Sequence, residues 1–141
     1  MGEVSIKAGM TLDTEQLVTS ELSAPHVGSG ALRVYATPAM AMFIEQSCCK
    51  LVDHLLSDGK TTVGIEINVR HLAPTPVGMR VYARVKVMST DGALINFEVH
   101  LRDDFEPIGE AEHRRAIVDT ERFLKRVEAK SQPSNQGLPG D

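Results

Sequence analysis

The chain has little cysteine, no excess of positive charge and no long apolar run, and each shortage excludes a class of protein. The two cysteines, Cys48 and Cys49, are adjacent, so they supply neither a disulfide framework nor the ligands of a metal site. The net charge of -4 argues against a surface that binds nucleic acid or an anionic membrane. No apolar run approaches the roughly 18 residues that cross a bilayer, and the N-terminus lacks an apolar stretch of signal-peptide length. We therefore expect a cytoplasmic protein with reduced cysteines.

Length and composition are those of one globular domain. The chain has 141 residues, of which 42% are apolar and 24% charged, and this is enough to bury a core. We expect a single domain over residues 1–130. Residues 131–141 are rich in proline, glycine and serine, which predicts a disordered tail. Nothing in the sequence indicates a metal or another cofactor.

Local patterns predict one long helix and five strands. A first strand is expected over residues 15–22, and proline and glycine mark residues 23–36 as a loop. Thr37 suits the N-cap and Pro38 the first helical position, so a helix should begin there and end near Ser57. Four segments with alternating apolar residues follow, and then a short charged helix. These are strands 61–72, 79–88, 93–102 and 108–119, and helix 121–130.

Short connections between these strands predict neighbouring antiparallel pairs. One helix laid across a five-stranded antiparallel sheet is an α+β arrangement. Because a single helix covers only part of one sheet face, we expect a second copy of the chain to cover the rest. The expected assembly is a homodimer or a higher homo-oligomer.

Glu45 is a carboxylate on the apolar side of the predicted helix. On a helical wheel, Val52 and Leu56 lie within about 20° of Glu45, whereas the other polar residues of the helix cluster on the opposite side. The sequence thus predicts that Glu45 lies in the middle of the buried stripe. A buried carboxylate must be paired, hydrogen-bonded or protonated. It is either a structural partner of the sheet or a catalytic base or nucleophile.

Three further residues favour a catalytic role for Glu45. Thr37 lies two helical turns before it on a similar side of the helix, although Thr37 also has a structural explanation as the N-cap. His71 ends the next predicted strand and should point towards the helix, unless it is simply a hydrogen-bonded core histidine. In a regular strand, His71 continues the face that carries the aliphatic residues Val63, Ile65, Ile67 and Val69. Gly64 lies in the same strand, where glycine weakens a sheet unless another group approaches the backbone closely.

Thr37, Glu45, Gly64, His71 and Arg115 together resemble the fluoroacetyl-CoA thioesterase group of the hot-dog superfamily. The shared pattern is a threonine at the helix start, a glutamate eight residues later, and then a glycine and a histidine on the next strand. The segments VRHLAPTPVGMRV (69–81) and IGEAEHRRAIVDTERF (108–123) also resemble that group. The similarity covers about residues 7–128.

The resemblance implies a hot-dog fold, with one long helix packed on a five-stranded antiparallel sheet, and a homodimer with active sites at the subunit interface. It implies hydrolysis of an acyl-CoA thioester, with Thr37, Glu45 and His71 as the catalytic residues. Gly64 would present its backbone N–H near the substrate carbonyl, and Arg115 would support the site or its lid. Thioester hydrolysis requires a nucleophile, a proton carrier and N–H donors for the developing oxyanion, which these groups can supply.

The segment before the helix departs from the fluoroacetyl-specific pattern. In that group it carries phenylalanines that help to form a lid, whereas here residues 27–38 read VGSGALRVYATP, with Tyr35 as the sole aromatic residue. We expect Tyr35 to line the mouth as a substrate-binding residue, or else to pack against the loop. The open segment favours a short or branched acyl group rather than fluoroacetyl.

Other functions stay open on the sequence alone. A hot-dog dimer could bind an acyl-CoA or another small apolar ligand without catalysis. It could also be purely structural, with Glu45 in a hydrogen-bond network between subunits. A hydratase would present an Asp–His pair in a different local pattern, which we do not find.

The remaining basic residues give weaker signals. Arg33, Arg70 and Arg80 could contact CoA phosphates, but solvated surface is the simpler interpretation. His100 and His113 both lie in predicted strands, and neither has the acidic and cysteine neighbours of a zinc site.

Overall fold

The computed structural model describes residues 6–132. Its strands are β1 (Thr11–Leu17), β2 (Lys60–His71), β3 (Arg80–Asp91), β4 (Leu94–Arg102) and β5 (Pro107–Asp119). Its helices are α1 (Ala24–Val27), α2 (Thr37–Val52) and α3 (Thr120–Lys130). Two short 3-10 turns, Ser20–Leu22 and Asp53–Leu55, precede α1 and follow α2.

The five strands form one antiparallel sheet in the order β1-β3-β4-β5-β2. The consecutive strands β3, β4 and β5 form its centre. The hairpin predicted at Asp91-Gly92 joins β3 to β4: Asp91 ends β3 and pairs with Leu94, and Gly92 and Ala93 make the tight turn. The strands β1 and β2 are the two edges. The α+β class, with one long helix on a five-stranded antiparallel sheet, is confirmed.

The core lies between α2 and one face of the sheet. Alternate residues of β3 and β4 are buried there, as period-two patterning predicts. They are Val81, Ala83, Val85 and Val87 on β3, and Ile95, Phe97, Val99 and Leu101 on β4. The facing side of α2 contributes Met40, Ile44 and Cys48, all fully buried.

A bulge in β2 changes which of its residues face the helix. Gly64 pairs with Arg115 and Glu66 with Arg114, so Ile65 is the extra residue between them. The expectation that Val63, Ile65, Ile67 and Val69 share one face is therefore wrong, because one extra residue exchanges the two faces of a strand. The strand turns five residues towards the helix. They are Thr62 and Gly64 before the bulge, and Ile67, Val69 and His71 after it.

Several boundaries differ from the sequence-based expectations. The first strand covers Thr11–Leu17 rather than residues 15–22, and the loop expected over residues 23–36 includes the short helix α1. The main helix ends at Val52 rather than near Ser57, because a 3-10 turn follows it. Of the predicted tail, only residues 131–132 lie within the described part of the chain, so the tail and the single-domain boundary stay predictions.

Candidate active site

Thr37 and His71 form the first part of the candidate site. The Thr37 hydroxyl lies 2.7 Å from His71 Nδ1. Thr37 was expected to cap the helix, but Ala36 is the N-cap and Thr37 is the first helical residue. The Thr37 side chain makes no capping bond and is exposed, with its hydroxyl turned to the histidine ring. A nucleophile or water-binding hydroxyl beside a base is thus in place at the surface of the chain.

The His71 ring has a buried side and an accessible side. Its Nε2 is buried and has no hydrogen-bond partner among the described residues, while Nδ1 meets Thr37. Burial lowers the pKa of His71 and outweighs the backbone of Ala73, which raises it. The ring is therefore neutral near pH 7 and can accept a proton at Nδ1.

Tyr35 lies in the core beside His71 rather than at an open mouth. Only 1% of Tyr35 is exposed, and its hydroxyl donates to Gln16 Oε1 at 2.8 Å. Burial raises the pKa of Tyr35. The ring meets the His71 ring edge-on, with the centroids 6.3 Å apart. Of the two expectations for Tyr35, the contacts within this chain agree with packing beneath the loop, and a role in substrate binding stays a prediction.

Glu45 forms the second part of the site together with Arg115 and Gly64. Its Oε2 lies 3.7 Å from Arg115 Nη1 and 3.9 Å from His113 Nε2. The Glu45 side chain is 46% exposed, so the expectation that it lies in the middle of the buried stripe is wrong. The sheet-facing stripe of α2 instead includes Met40, Ile44 and Cys48, and Glu45 lies at the side of the helix that faces the β2 edge.

Gly64 permits the close approach of Glu45 to the sheet. A Cβ atom at position 64 would lie 2.5 Å from Glu45 Oε2 and 3.1 Å from Arg115 Nη1. The β2 bulge places Gly64 on the helix side, where it is exposed. This is the close backbone approach that glycine in the strand predicts.

Arg115 is held by hydrogen bonds from β2. Its Nε donates to Thr62 Oγ1 at 2.9 Å and its Nη2 to the Thr62 carbonyl at 3.1 Å. The Thr62 hydroxyl in turn donates to Asp53 Oδ1 at 2.8 Å. Two fixed N–H groups orient the planar guanidinium, so its third corner is directed towards Glu45.

His113 is a site residue that the sequence reasoning did not identify. Its ring projects from β5 and is almost fully buried, with Nε2 3.9 Å from Glu45 Oε2. The signal was present, since His113 occupies an inward position of β5, between Ala111 and Arg115. A polar residue at an inward position of a strand requires a partner, so the position of His113 in the alternating pattern of β5 is itself a signal.

The two groups are separate within one chain. We call Thr37 with His71 the hydroxyl half-site, and Glu45 with Gly64 and Arg115 the carboxylate half-site. Eight helical residues separate Thr37 from Glu45, which is about 12 Å along the axis. The structure thus brings Thr37, Glu45, Gly64, His71 and Arg115 into two groups rather than one.

Other candidate residues lie outside both half-sites. Arg70 pairs with Glu110 and Glu112, and Arg80 pairs with Glu15. Within residues 6–132 there is no group of three or more His, Cys, Asp or Glu side chains that could hold a metal ion.

The cysteine thiols are poorly suited to nucleophilic chemistry. Cys48 is buried and Cys49 partly buried, and both are free. Burial raises the pKa of each thiol, which keeps it protonated and unreactive near pH 7.

No helix in the described part of the chain is long and apolar enough to cross a membrane.

A cavity in the described part of the chain includes neither half-site. It has a volume of about 630 Å³ and is lined by residues such as Tyr82, Arg84 and His100. These side chains alternate with the buried residues of β3 and β4, so the cavity lies mainly on the sheet face away from α2. The half-sites, in contrast, combine a base, a carboxylate and a fixed cation, which are groups that hydrolytic chemistry uses.

Comparisons with known proteins identify relatives of this sequence. Residues 18–121 match the family of fluoroacetyl-CoA-specific thioesterases, FlK. The fluoroacetyl-CoA thioesterase of Streptantibioticus cattleyicolor is 31% identical over 98 residues, which is 70% of each chain. A solved structure of the fluoroacetyl-CoA thioesterase FlK superposes with a TM-score of 0.85 at 25% identity, covering 90% of this chain and 98% of that one. A hot-dog-like protein from Thermanaerovibrio acidaminovorans gives a TM-score of 0.83 at 22% identity, covering 89% and 93%. The hot-dog fold is confirmed.

Proposed function

The chain belongs to the fluoroacetyl-CoA-specific thioesterase family, and we propose that it hydrolyses a short or branched acyl-CoA with Thr37, Glu45 and His71 as catalytic residues. Family membership makes the protein a thioester hydrolase that acts on an acyl-CoA. The observation that carries the proposal is the pair of half-sites, one with the exposed Thr37 hydroxyl beside His71 and the other with the half-exposed Glu45 carboxylate beside the buried Arg115.

The reaction adds water across the thioester. The water oxygen bonds to the acyl carbon, the carbon–sulfur bond breaks, and the CoA sulfur takes a proton. We propose that Glu45 either attacks the carbonyl or removes a proton from the attacking water. His71 and the Thr37 hydroxyl carry a proton to the leaving sulfur. The Gly64 N–H stabilises the oxyanion, and Arg115 holds the Glu45 carboxylate in place.

A dimer would bring the two kinds of half-site together. β2 is an edge strand, and its apolar residues Ile65 and Ile67 are 51% and 37% exposed. Met42, one turn before Glu45, is also exposed. Exposed apolar residues along an unpaired edge favour pairing with another chain. We propose a homodimer in which the hydroxyl half-site of one protomer faces the carboxylate half-site of its partner.

The acyl group is proposed to be short or branched. Residues 28–34, before α2, contain two glycines, and Leu32 is 74% exposed. This segment offers no phenylalanine to close over a small substrate. Substrates somewhat larger than fluoroacetyl-CoA are therefore expected to fit.

The test is release of free CoA thiol from a panel of short, branched and aryl acyl-CoAs. Wild type is compared with Glu45→Gln, which keeps the size of the side chain but removes its charge and basicity. Glu121→Gln is the matched control, because Glu121 makes only an exposed pair with Lys125 on α3. We expect turnover of some esters by wild type and the control, and none by Glu45→Gln.

Several outcomes would contradict the proposal. Near-normal turnover by Glu45→Gln would remove Glu45 from the mechanism. Saturable binding of acyl-CoA without thiol release by wild type would favour the ligand-binding alternative.

A separate measurement decides between the two roles proposed for Glu45. An acyl adduct on Glu45, detected by mass spectrometry of protein quenched during turnover, would indicate direct attack rather than activation of water.

A further inference from the structure

The surroundings of His113 admit only one protonation form. Its Nδ1 lies 2.7 Å from the Glu66 carbonyl oxygen, which can only accept a hydrogen bond, so Nδ1 carries a proton. Its Nε2 lies 3.1 Å from Arg115 Nη1, which can only donate, so Nε2 presents a lone pair. The ring stacks on Phe97, with the centroids 6.0 Å apart. His113 is therefore neutral, with its proton on Nδ1.

This form of His113 completes the support of Arg115. Thr62 accepts from Nε and Nη2 of the guanidinium, and His113 accepts from Nη1. Nη1 has two hydrogens, and the one not used by His113 is available to Glu45 Oε2 at 3.7 Å. Thr62 holds two of the three guanidinium nitrogens, and the His113 lone pair is the hydrogen-bond acceptor that holds Nη1 itself.

We propose that His113 is a positioning residue for thioester hydrolysis, and that its neutral ring, acting through Arg115, fixes the place of the Glu45 carboxylate. The inference rests on the proposed function, because it assumes that Glu45 takes part in the reaction. His113 does not itself contact the substrate, since its side chain is only 1% exposed.

Protonation of His113 would dismantle this arrangement. The charged groups that face its ring are Arg115 on β5 and Glu45 on α2, while β2 and β4 contribute the Glu66 carbonyl and the Phe97 ring. Burial lowers the pKa of His113, as does Arg115, whereas the Glu66 carbonyl and Glu45 raise it. Once protonated, Nε2–H would oppose the Nη1 donors and displace the Nη1 corner of Arg115 from its place beside Glu45. Turnover should therefore decline at acid pH.

The experiment compares kcat, KM and their pH profiles in wild type, His113→Leu and His113→Gln. His113→Leu keeps bulk but removes both ring nitrogens, and we expect kcat to fall about ten- to hundredfold, as for supporting residues in other sites, with KM changed little. His113→Gln offers an amide oxygen to Arg115 and should recover part of kcat. It should also lose the acid decline that His113 causes. His100→Leu is the control, because His100 is exposed on β4.

Nitrogen-15 NMR of the imidazole rings gives a readout that does not depend on activity. The wild-type His113 signals at pH 7.5 should show a protonated Nδ1 and a bare Nε2. A proton on Nε2 would overturn the inference, even if the His113→Leu variant failed to fold.

The two proposals fail in different ways. Unchanged kcat in His113→Leu, with turnover lost in Glu45→Gln, would refute the role of His113 alone. Full turnover in both variants would refute the proposed function as well.

Discussion

Gly64→Ala tests the link between the β2 bulge and the position of Glu45. The added Cβ would lie 2.5 Å from Glu45 Oε2, 3.1 Å from Arg115 Nη1 and 3.3 Å from His113 Cε1. Ordinary van der Waals contact begins at 3.4 Å, so Oε2 must retreat by about 1 Å if the strand stays in place. Because Oε2 is at the end of a flexible, half-exposed side chain, Glu45 is the group that moves.

The expected cost falls on turnover rather than on folding. A displacement of about 1 Å in a reacting group costs about a hundredfold in rate, so we expect kcat/KM to fall by about that factor. The free energy of unfolding should change by less than about 1 kcal/mol, because alanine in a strand regains about 0.5–1 kcal/mol of chain entropy relative to glycine. Thiol release and urea unfolding measure the two quantities.

Glu45→Asp shows whether the effect passes through Glu45. Aspartate is one methylene shorter, so its carboxylate no longer reaches the space above position 64. In this background Gly64→Ala should cost far less additional activity than it does in wild type, as coupled residues do in a double-mutant cycle. An equal loss in both backgrounds, or wild-type turnover by Gly64→Ala, would refute the reasoning.

Two further predictions concern the assembly and the stability of the chain. Co-expressed Thr37→Ala and Glu45→Gln chains should give roughly a quarter of the wild-type specific activity, because half of the dimers are mixed and each holds one intact pair of half-sites. Absence of activity in purified mixed dimers would place both half-sites of a working site in one chain. Asp103→Ala should lower the free energy of unfolding at pH 7 by about 2–3 kcal/mol, since the buried carboxylate accepts from Thr75 Oγ1 at 2.9 Å and Phe105 N at 2.8 Å. Burial raises the pKa of Asp103, but hydrogen bonds such as these outweigh it and hold the pKa below its ordinary value of 3.8. The difference from wild type should therefore persist above pH 4 and shrink as pH falls through the lowered pKa, and a constant difference down to pH 2 would contradict this account.

Local pattern was sufficient for most of the fold. Alternating valines in β3 and β4 predict the inward face, because side chains of a strand point to its two faces in turn. Pro38 and the residues around it predict the start of α2 to within one residue, because the first turn of a helix needs no N–H from proline. The first strand is predicted too late in the chain, at residues 15–22 instead of Thr11–Leu17. A short polar edge strand has only a weak apolar signal.

The grouping of the site residues could be predicted only in part. The sequence indicated that Gly64 admits a close neighbour and that Glu45 requires a partner, and the structure joins these two residues. It did not indicate the Thr37–His71 hydrogen bond, because Thr37 was assigned to the helix cap. It also missed His113, whose neighbours come from α2, β2 and β4.

The sequence by itself determined the α+β class and the order of the elements, because these follow from local periodicity and residue type. It also supplied the candidate site residues, whose roles stay predictions. Only the tertiary structure decided which of those residues meet. The bulge at Ile65 is invisible to an alternating pattern, yet it turns Gly64 and His71 to the same face of β2. The contact of α2 with the sheet likewise depends on packing along the whole helix. That packing leaves Glu45 at the margin of the core, where a carboxylate can be held by Arg115 and still reach solvent.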